Sequence, residues 1–166
     1  TFDIPGEAEK TMGELAWIAG DLREGTVHPS SIDGEMRCQR VDEPDGHIID
    51  VVFELSNHAT QSDVEAALDA FATHPDAAGL PSVPHRPMMR VAGPIHRDRH
   101  LWADGLSFPL NVNPAIDLQA GMATVVGDVH MDGSRHVRLR SLSHNTVRGA
   151  AGGVVLLAEL ASTRWA

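Results

Sequence analysis

Cys38-Gln39-Arg40-Val41-Asp42-Glu43-Pro44-Asp45-Gly46-His47, running on into Ile48-Ile49-Asp50-Val51-Val52-Phe53-Glu54-Leu55, is the stretch on which the fold turns. It begins as a strand, breaks at Pro44-Asp45-Gly46 and resumes as a strand. Pro presets φ and Gly accepts φ > 0, so the break is a turn with a mechanism. After it, Ile49, Val51, Phe53 and Leu55 share one face while Asp50 and Glu54 lie on the other. Alternation of this kind indicates a half-buried antiparallel sheet. Arg40 precedes the turn and His47 follows it, which places a permanent cation near a group that titrates close to neutrality. That pairing suits a small anionic substrate that must gain or lose a proton. It equally describes an ordinary hairpin with a surface Arg and a surface His.

Upstream, residues 5–19 have a helical pattern: Pro5 in the first turn, Glu7 and Glu9 at the positive dipole end, and Gly20 as a stop. Met12, Leu15, Trp17, Ile18 and Ala19 supply its apolar face, and Glu7 and Lys10 stand three apart on another. The stretch 21–34 is loop-like, and strands are expected at 35–42 and 48–56. Ser62-Asp63-Val64-Glu65 has capping-box spacing ahead of an apolar i, i+3, i+4, i+7 series, which predicts a helix over 63–73. From Gly79 to Asn113 prolines recur, with short extended pieces expected at 87–92 and 106–111. His96 and His100 have the spacing of helix metal ligands, but Pro94, Asp98 and Arg99 around them point to an exposed loop, and no metal is expected. Strands at 122–129 and 136–143 flank the turn residues Asp132-Gly133. The tail from Asn145 is a small-residue helix, apolar nearly all round, and should be buried against this domain or another.

The chain has 166 residues, 42% hydrophobic content, 15 Gly and 10 Pro. This length suits one domain, or one and a fragment, rich in turns and sheet, with enough chain for a core. Aromatic content is 4% with no Tyr, so aliphatic side chains must fill that core. A net charge of −10 argues against a nucleic-acid partner. No apolar run approaches the roughly 18–20 residues of a membrane span, and Thr1 opens no signal peptide. The single Cys fits a reducing cytoplasm and excludes an internal disulfide.

Four segments together resemble the aspartate-semialdehyde dehydrogenases. Cys38-x-Arg40-Val41-x4-Gly46-His47 is similar to their C-V-R-V-P-V-x-x-G-H, and Gly6-Glu7-Ala8-Glu9-Lys10 to their E-x-x-K helix start. Gly79-Leu80-Pro81-Ser82-Val83-Pro84 resembles the L-P-S-A-P of the archaeal-like branch. Leu142-Ser143-His144-Asn145-Thr146-Val147-Arg148-Gly149-Ala150-Ala151-Gly152 matches that branch's L-S-H-N-T-V-R-G-A-A-G almost residue for residue.

The resemblance implies an α+β fold of the glyceraldehyde-3-phosphate dehydrogenase-like C-terminal type, an antiparallel or mixed sheet with helices packed on one face. Residues 1–143 would be the substrate-binding and dimerisation domain. The tail from 144 to 166 would pack on a Rossmann-type dinucleotide-binding domain. The implied reaction is NADPH-dependent reductive dephosphorylation of β-aspartyl phosphate to aspartate semialdehyde. By position, Arg40 would clamp the substrate α-carboxylate and His47 would be the acid/base. Glu7 would meet the α-amino group and Lys10 the leaving phosphate, while Asn145, Gly149 and Ala150 would lie near the nicotinamide. A homodimer is implied. The dinucleotide-binding half and the segment carrying the nucleophilic cysteine have no counterpart in these residues, so NADP binding and turnover by this chain alone are not expected. Cys38 aligns with a strand cysteine of the family and is read as structural. Asp42-Glu43 replace the family's Pro-Val, and Asn113-Pro114-Ala115-Ile116-Asp117 lacks the Arg of its P-Q-P-R-L-D. Two alternatives stand beside the enzyme half: a non-catalytic binding or dimerisation relative, and a reductase of another acyl phosphate or thioester.

Overall fold

The computed structural model describes residues 2–165, apart from Asp33, Val41 and Glu43 and the side chains of Glu35, Arg37 and Arg40. Its centre is a five-stranded sheet in the order β4-β6-β9-β8-β7, formed by Gly34–Arg37 (β4), His47–Glu54 (β6), Met88–Arg90 (β7), Thr124–Asp132 (β8) and His136–Ser143 (β9). β7 runs parallel to β8, and the other pairs are antiparallel. The sheet is therefore mixed, and the fold is α+β as the alternation in residues 49–55 required. Phe53 and Leu55 pack with Val137, Val126 and Leu139 beneath Val64 and Leu68 of helix α2 (Gln61–Ala70). Among the described residues the opposite face is covered at one end, where Leu142 and Val125 meet Leu101, Ala103, Ile95 and Phe108 of the Pro-rich segment. Further along that face Asp50 receives two hydrogen bonds from Arg140, at 2.6 and 2.9 Å, and the surface is polar.

Several local expectations need correction. The strand expected at 35–42 breaks at Cys38. Its first half, β4, pairs with β6 as far as Arg37↔Asp50, whereas Gln39–Arg40 (β5) leaves the sheet to pair with Phe2–Asp3 (β1). Period-two patterning cannot report a change of partner within one extended run. Residues 21–34 contain a hairpin, Asp21–Arg23 (β2) against Thr26–His28 (β3), turning on Glu24 and Gly25, both at positive φ. That is the backbone of a two-residue hairpin loop, formed without the usual Asn-Gly or Asp-Gly. The capping box of α2 is Thr60 with Asp63, not Ser62 with Glu65. No strand forms at 106–111; there Asp104 accepts from the backbone of Leu106 and Ser107 at 2.7 and 2.6 Å, closing a turn. The first helix, α1, spans Glu7–Ile18.

The tail begins as a wide π-type turn over Val147–Ala151 and continues as the helix Gly152–Trp165. It is tied down at three places. Glu159 accepts from the backbone N–H and hydroxyl of buried Ser82 at 3.0 and 2.8 Å, Arg164 pairs with Asp76, and Gly152 lies so close that an added Cβ would stand 2.4 Å from Met122 Sδ. Of the two ways its apolar surface could be covered, burial within this chain is not what the described residues show. Val154, Leu157 and Trp165 are 67%, 64% and 87% exposed.

Candidate active site

The Pro44-Asp45-Gly46 turn delivers His47 to the first position of β6, where its backbone stands opposite Ser143, the last residue of β9. Gly46 is at φ +99 with Leu101 and Leu142 directly beneath, so the turn rests on the core. Its N–H donates to Asn145 Oδ1 at 3.0 Å. A backbone N–H can only donate, which fixes the Asn145 amide with its oxygen toward the turn. On the other side Arg97 Nε donates to the Asp45 carbonyl at 3.1 Å, and the same guanidinium pairs with the Asp45 carboxylate. Arg97 sits in a short helix, Arg97–His100 (α3), and also reaches Asp98.

Beneath this turn lies His144, 4% exposed, with its ring 4.3 Å from that of Trp102 in an edge-on contact. The Val147 N–H donates to its Nδ1 at 3.4 Å, and Nε2 has no partner within the described structure. Gly149 N–H bonds to the His144 carbonyl at 3.2 Å, so the exposed Gly149–Ala150 backbone is anchored through the same residue. Burial lowers the His144 pKa from its ordinary 6.5; Asp45 opposes that shift and Arg97 adds to it. Burial also lowers the His100 pKa, with the charges of His96 and Arg99 acting the same way. A His whose folded-state pKa is depressed favours folding while neutral. That contribution is complete above about 6.5 and is lost as pH falls below it. Thermal stability should therefore decline on acidification from about pH 8 to pH 5. A Tm that stays flat or rises across that window would contradict this account.

The remaining predicted site residues form a second group. Glu7 opens α1, and Lys10 Nζ lies 3.9 Å from both Glu7 and Glu14 on an exposed face. The β1–β5 ladder pairs Phe2 with Arg40, and Ile4 N–H bonds the Cys38 carbonyl at 3.0 Å, so the α1 start is tied to the Arg40 backbone. The Arg40 side chain lies outside the described residues, as does Glu43; Asp42 is exposed. Thus the structure joins Glu7 and Lys10 to the Arg40 strand, and His47 to Asn145 and the Gly149–Ala150 turn. Because β5 leaves the sheet, a simple hairpin is not what relates Arg40 to His47. Cys38, at the strand break, is partly buried. His96 and His100 show no metal geometry: His100 Nδ1 accepts from the His96 N–H at 3.0 Å and its ring rests on Phe108. Among the described residues no group of three or more His, Cys, Asp and Glu could hold a metal ion. The sequence assigns no role to Arg97 or Trp102, and shows His144 only as one residue of the tail motif, because nothing local links them to residues 45–47.

Over 161 residues the chain is 36% identical to the aspartate-semialdehyde dehydrogenase of Methanothermobacter thermautotrophicus, covering 95% of this chain and 42% of that protein. This chain belongs to the aspartate-semialdehyde dehydrogenase family. It corresponds to the C-terminal half and spans less than half the length of the curated relatives it matches. A crystal structure of aspartate semialdehyde dehydrogenase with NADP from Candida albicans superposes with a TM-score of 0.69 at 26% identity, covering 96% of this chain and 43% of that one. The NADP-dependent malonyl-CoA reductase of Metallosphaera sedula is 30% identical over 161 residues, 93% of this chain and 41% of that protein. No family-wide sequence profile matches the chain. No helix of the described residues is long and apolar enough to cross a membrane.

Proposed function

We propose that the chain is the substrate-binding and dimerisation part of a cytoplasmic, NADP-dependent reductase that converts β-aspartyl phosphate to aspartate semialdehyde. The observation that carries this reading is the Gly46 N–H···Asn145 Oδ1 bond, which holds the turn bearing His47 against the tail that resembles the family's nicotinamide side. In this reading Arg40 clamps the substrate α-carboxylate with its planar fork. Glu7 meets the α-ammonium and Lys10 the leaving phosphate. His47 accepts the proton of a nucleophilic thiol supplied from outside these residues, and exposure at the head of β6 leaves its ring free to do so. NADPH, when bound, supplies the hydride, and Asn145 with the Gly149–Ala150 backbone holds its nicotinamide end. Residues 144–166 pack, through the exposed Val154, Leu157 and Trp165, on the dinucleotide-binding half.

Titrating the labelled chain with aspartate and with inorganic phosphate tests the binding half of this reading. Signals of His47, Lys10 and Glu7 should shift together at roughly millimolar ligand, which is weak because half the site is missing. Arg40→Lys should weaken aspartate binding about tenfold, the cost of losing one bidentate geometry. Unchanged spectra at saturating ligand would leave a fold without its site. The chain alone should give no NADP-dependent turnover.

Similarity to the malonyl-CoA reductase favours a second reading, a reductase of another acyl phosphate or thioester. Turnover of malonyl-CoA in preference to β-aspartyl phosphate, after assembly with a dinucleotide-binding half that carries the nucleophile, would select it. The polar sheet face around Asp50, Val52, Arg138 and Arg140, a groove of about 600 Å³, is assigned as the homodimer contact. Light scattering should report about twice the 17.8 kDa chain mass at micromolar concentration, and a monomer there would reject the assignment.

A further inference from the structure

We infer that Arg97 and Asn145 are positioning residues for His47, acting through the Asp45–Gly46 peptide; the inference rests on the reading of His47 as the proton acceptor. The Asp45 carbonyl and the Gly46 N–H belong to one planar peptide unit. Arg97 Nε holds its oxygen at 3.1 Å, and Asn145 Oδ1 holds its N–H at 3.0 Å. The plane is gripped on both edges by side chains 52 and 99 residues away. A flip of this unit, the ordinary way for a turn to change type, would break both bonds at once. Leu101 and Leu142 close the space below: an added Cβ at Gly46 would lie 3.3 and 3.5 Å from their methyl groups.

The lock matters at this position because β4 stops at Arg37↔Asp50, so residues 47–49 keep only β9 as a sheet neighbour among the described residues. A first strand residue with one neighbour frays unless something beyond the strand holds it. Arg97 is suited to the task as a fork: Nε meets the carbonyl while a terminal nitrogen meets the Asp45 carboxylate. A lysine ammonium on a flexible stem cannot hold both with the same geometry. Asn145 thereby has a task of its own besides facing the cofactor. Nothing in the pattern of either segment announces that they meet on one peptide.

The test is hydrogen exchange and ¹⁵N–¹H spectroscopy on the whole 166-residue chain. Arg97→Met should speed exchange of the Gly46 amide by about tenfold or more, since one peptide hydrogen bond is worth roughly that factor. It should also shift the His47 signals while Tm stays close to wild type. Arg97→Lys should restore part of the protection. Arg90→Met is the control, because Arg90 is as buried as Arg97 (24% against 23% exposed) and is also ion-paired, but with Asp69 and Glu65; it should move neither signal. Gly46 exchange and His47 signals that stay at wild-type values in a folded Arg97→Met chain would overturn the inference. Should that variant not fold, Asn145→Ala, at an exposed residue, puts the same two readouts to the same test. Phosphate and aspartate added to the wild-type chain separate the two ideas. A His47 that ignores them refutes its acid/base role, whereas the lock is judged by Gly46 exchange and His47 signals in the ligand-free variants.

Discussion

Leu142→Ala should lower the stability of this chain by about 2–5 kcal/mol, the range for emptying a fully buried leucine site. Leu142 is 1% exposed and stands in register with both Ile48 and Val125, so three strands meet at its side chain. Around it lie Leu101, Ala103 and Ala123, of which the two alanines cannot swing in to refill the space. Its methyl group also supports Gly46, which ties the core to the turn before His47. The substitution should therefore show twice: as a drop in urea midpoint with unchanged m-value, and as faster exchange at Gly46. A midpoint shift worth less than about 1 kcal/mol would mean that the Pro-rich segment collapses onto the gap and carries less of the core than its packing indicates.

The second large effect is Gly105→Ala. Gly105 has φ +92, and a Cβ there would lie 2.2 and 2.3 Å from the backbone nitrogen and oxygen of Arg86. Those atoms belong to the main chain beside the His85 N–H···Asp104 carbonyl bond of 2.9 Å, so no flexible side chain can yield. Left-handed strain alone costs about 1 kcal/mol, and forced backbone displacement brings the loss to roughly 3 kcal/mol or more. Gly133→Ala is the natural comparison. It has φ +72 but nothing within 4 Å of the new methyl, and should show the strain by itself. Equal losses in the two variants, measured by denaturant unfolding, would show that contact with Arg86 contributes nothing.

Much of the framework was legible without coordinates. Alternation from Ile49 to Leu55 identified the sheet face that Val64 and Leu68 cover, and the spacing of Val64, Ala67 and Leu68 identified the helix that covers it. These patterns are legible because burial of one face imposes a period on the residues themselves. The hairpin at residues 21–28 was not, since Glu24-Gly25 lacks the usual turn dipeptide. The break at Cys38 was missed for a different reason: an extended backbone has the same period whichever strand it pairs with. The apolar composition of the tail marks a helix that needs a cover, but composition does not say whether this domain or another supplies it, and here Val154 and Leu157 stay exposed.

For the candidate site, the family resemblance pointed to His47, Asn145 and the Gly149–Ala150 segment, through motifs whose residues stand close together in the chain. It also named Glu7, Lys10 and Arg40. The β1–β5 ladder ties the backbone before helix α1, which carries Glu7 and Lys10, to the backbone at Arg40 through the pairing of Phe2 with Arg40, which no periodicity in either short strand encodes. Only the tertiary structure decided that the peptide before His47 is held by Arg97 and Asn145, that His144 lies buried against Trp102, and that Glu159 receives Ser82. The physical reason is range. A turn residue, a helix cap or a strand face is chosen by interactions with neighbours a few positions away, and so leaves its mark on composition and spacing. A side chain that satisfies a backbone group 52 or 99 residues distant is chosen by the packing that brings the two segments together, and its own surroundings in the chain are free to look like an ordinary loop.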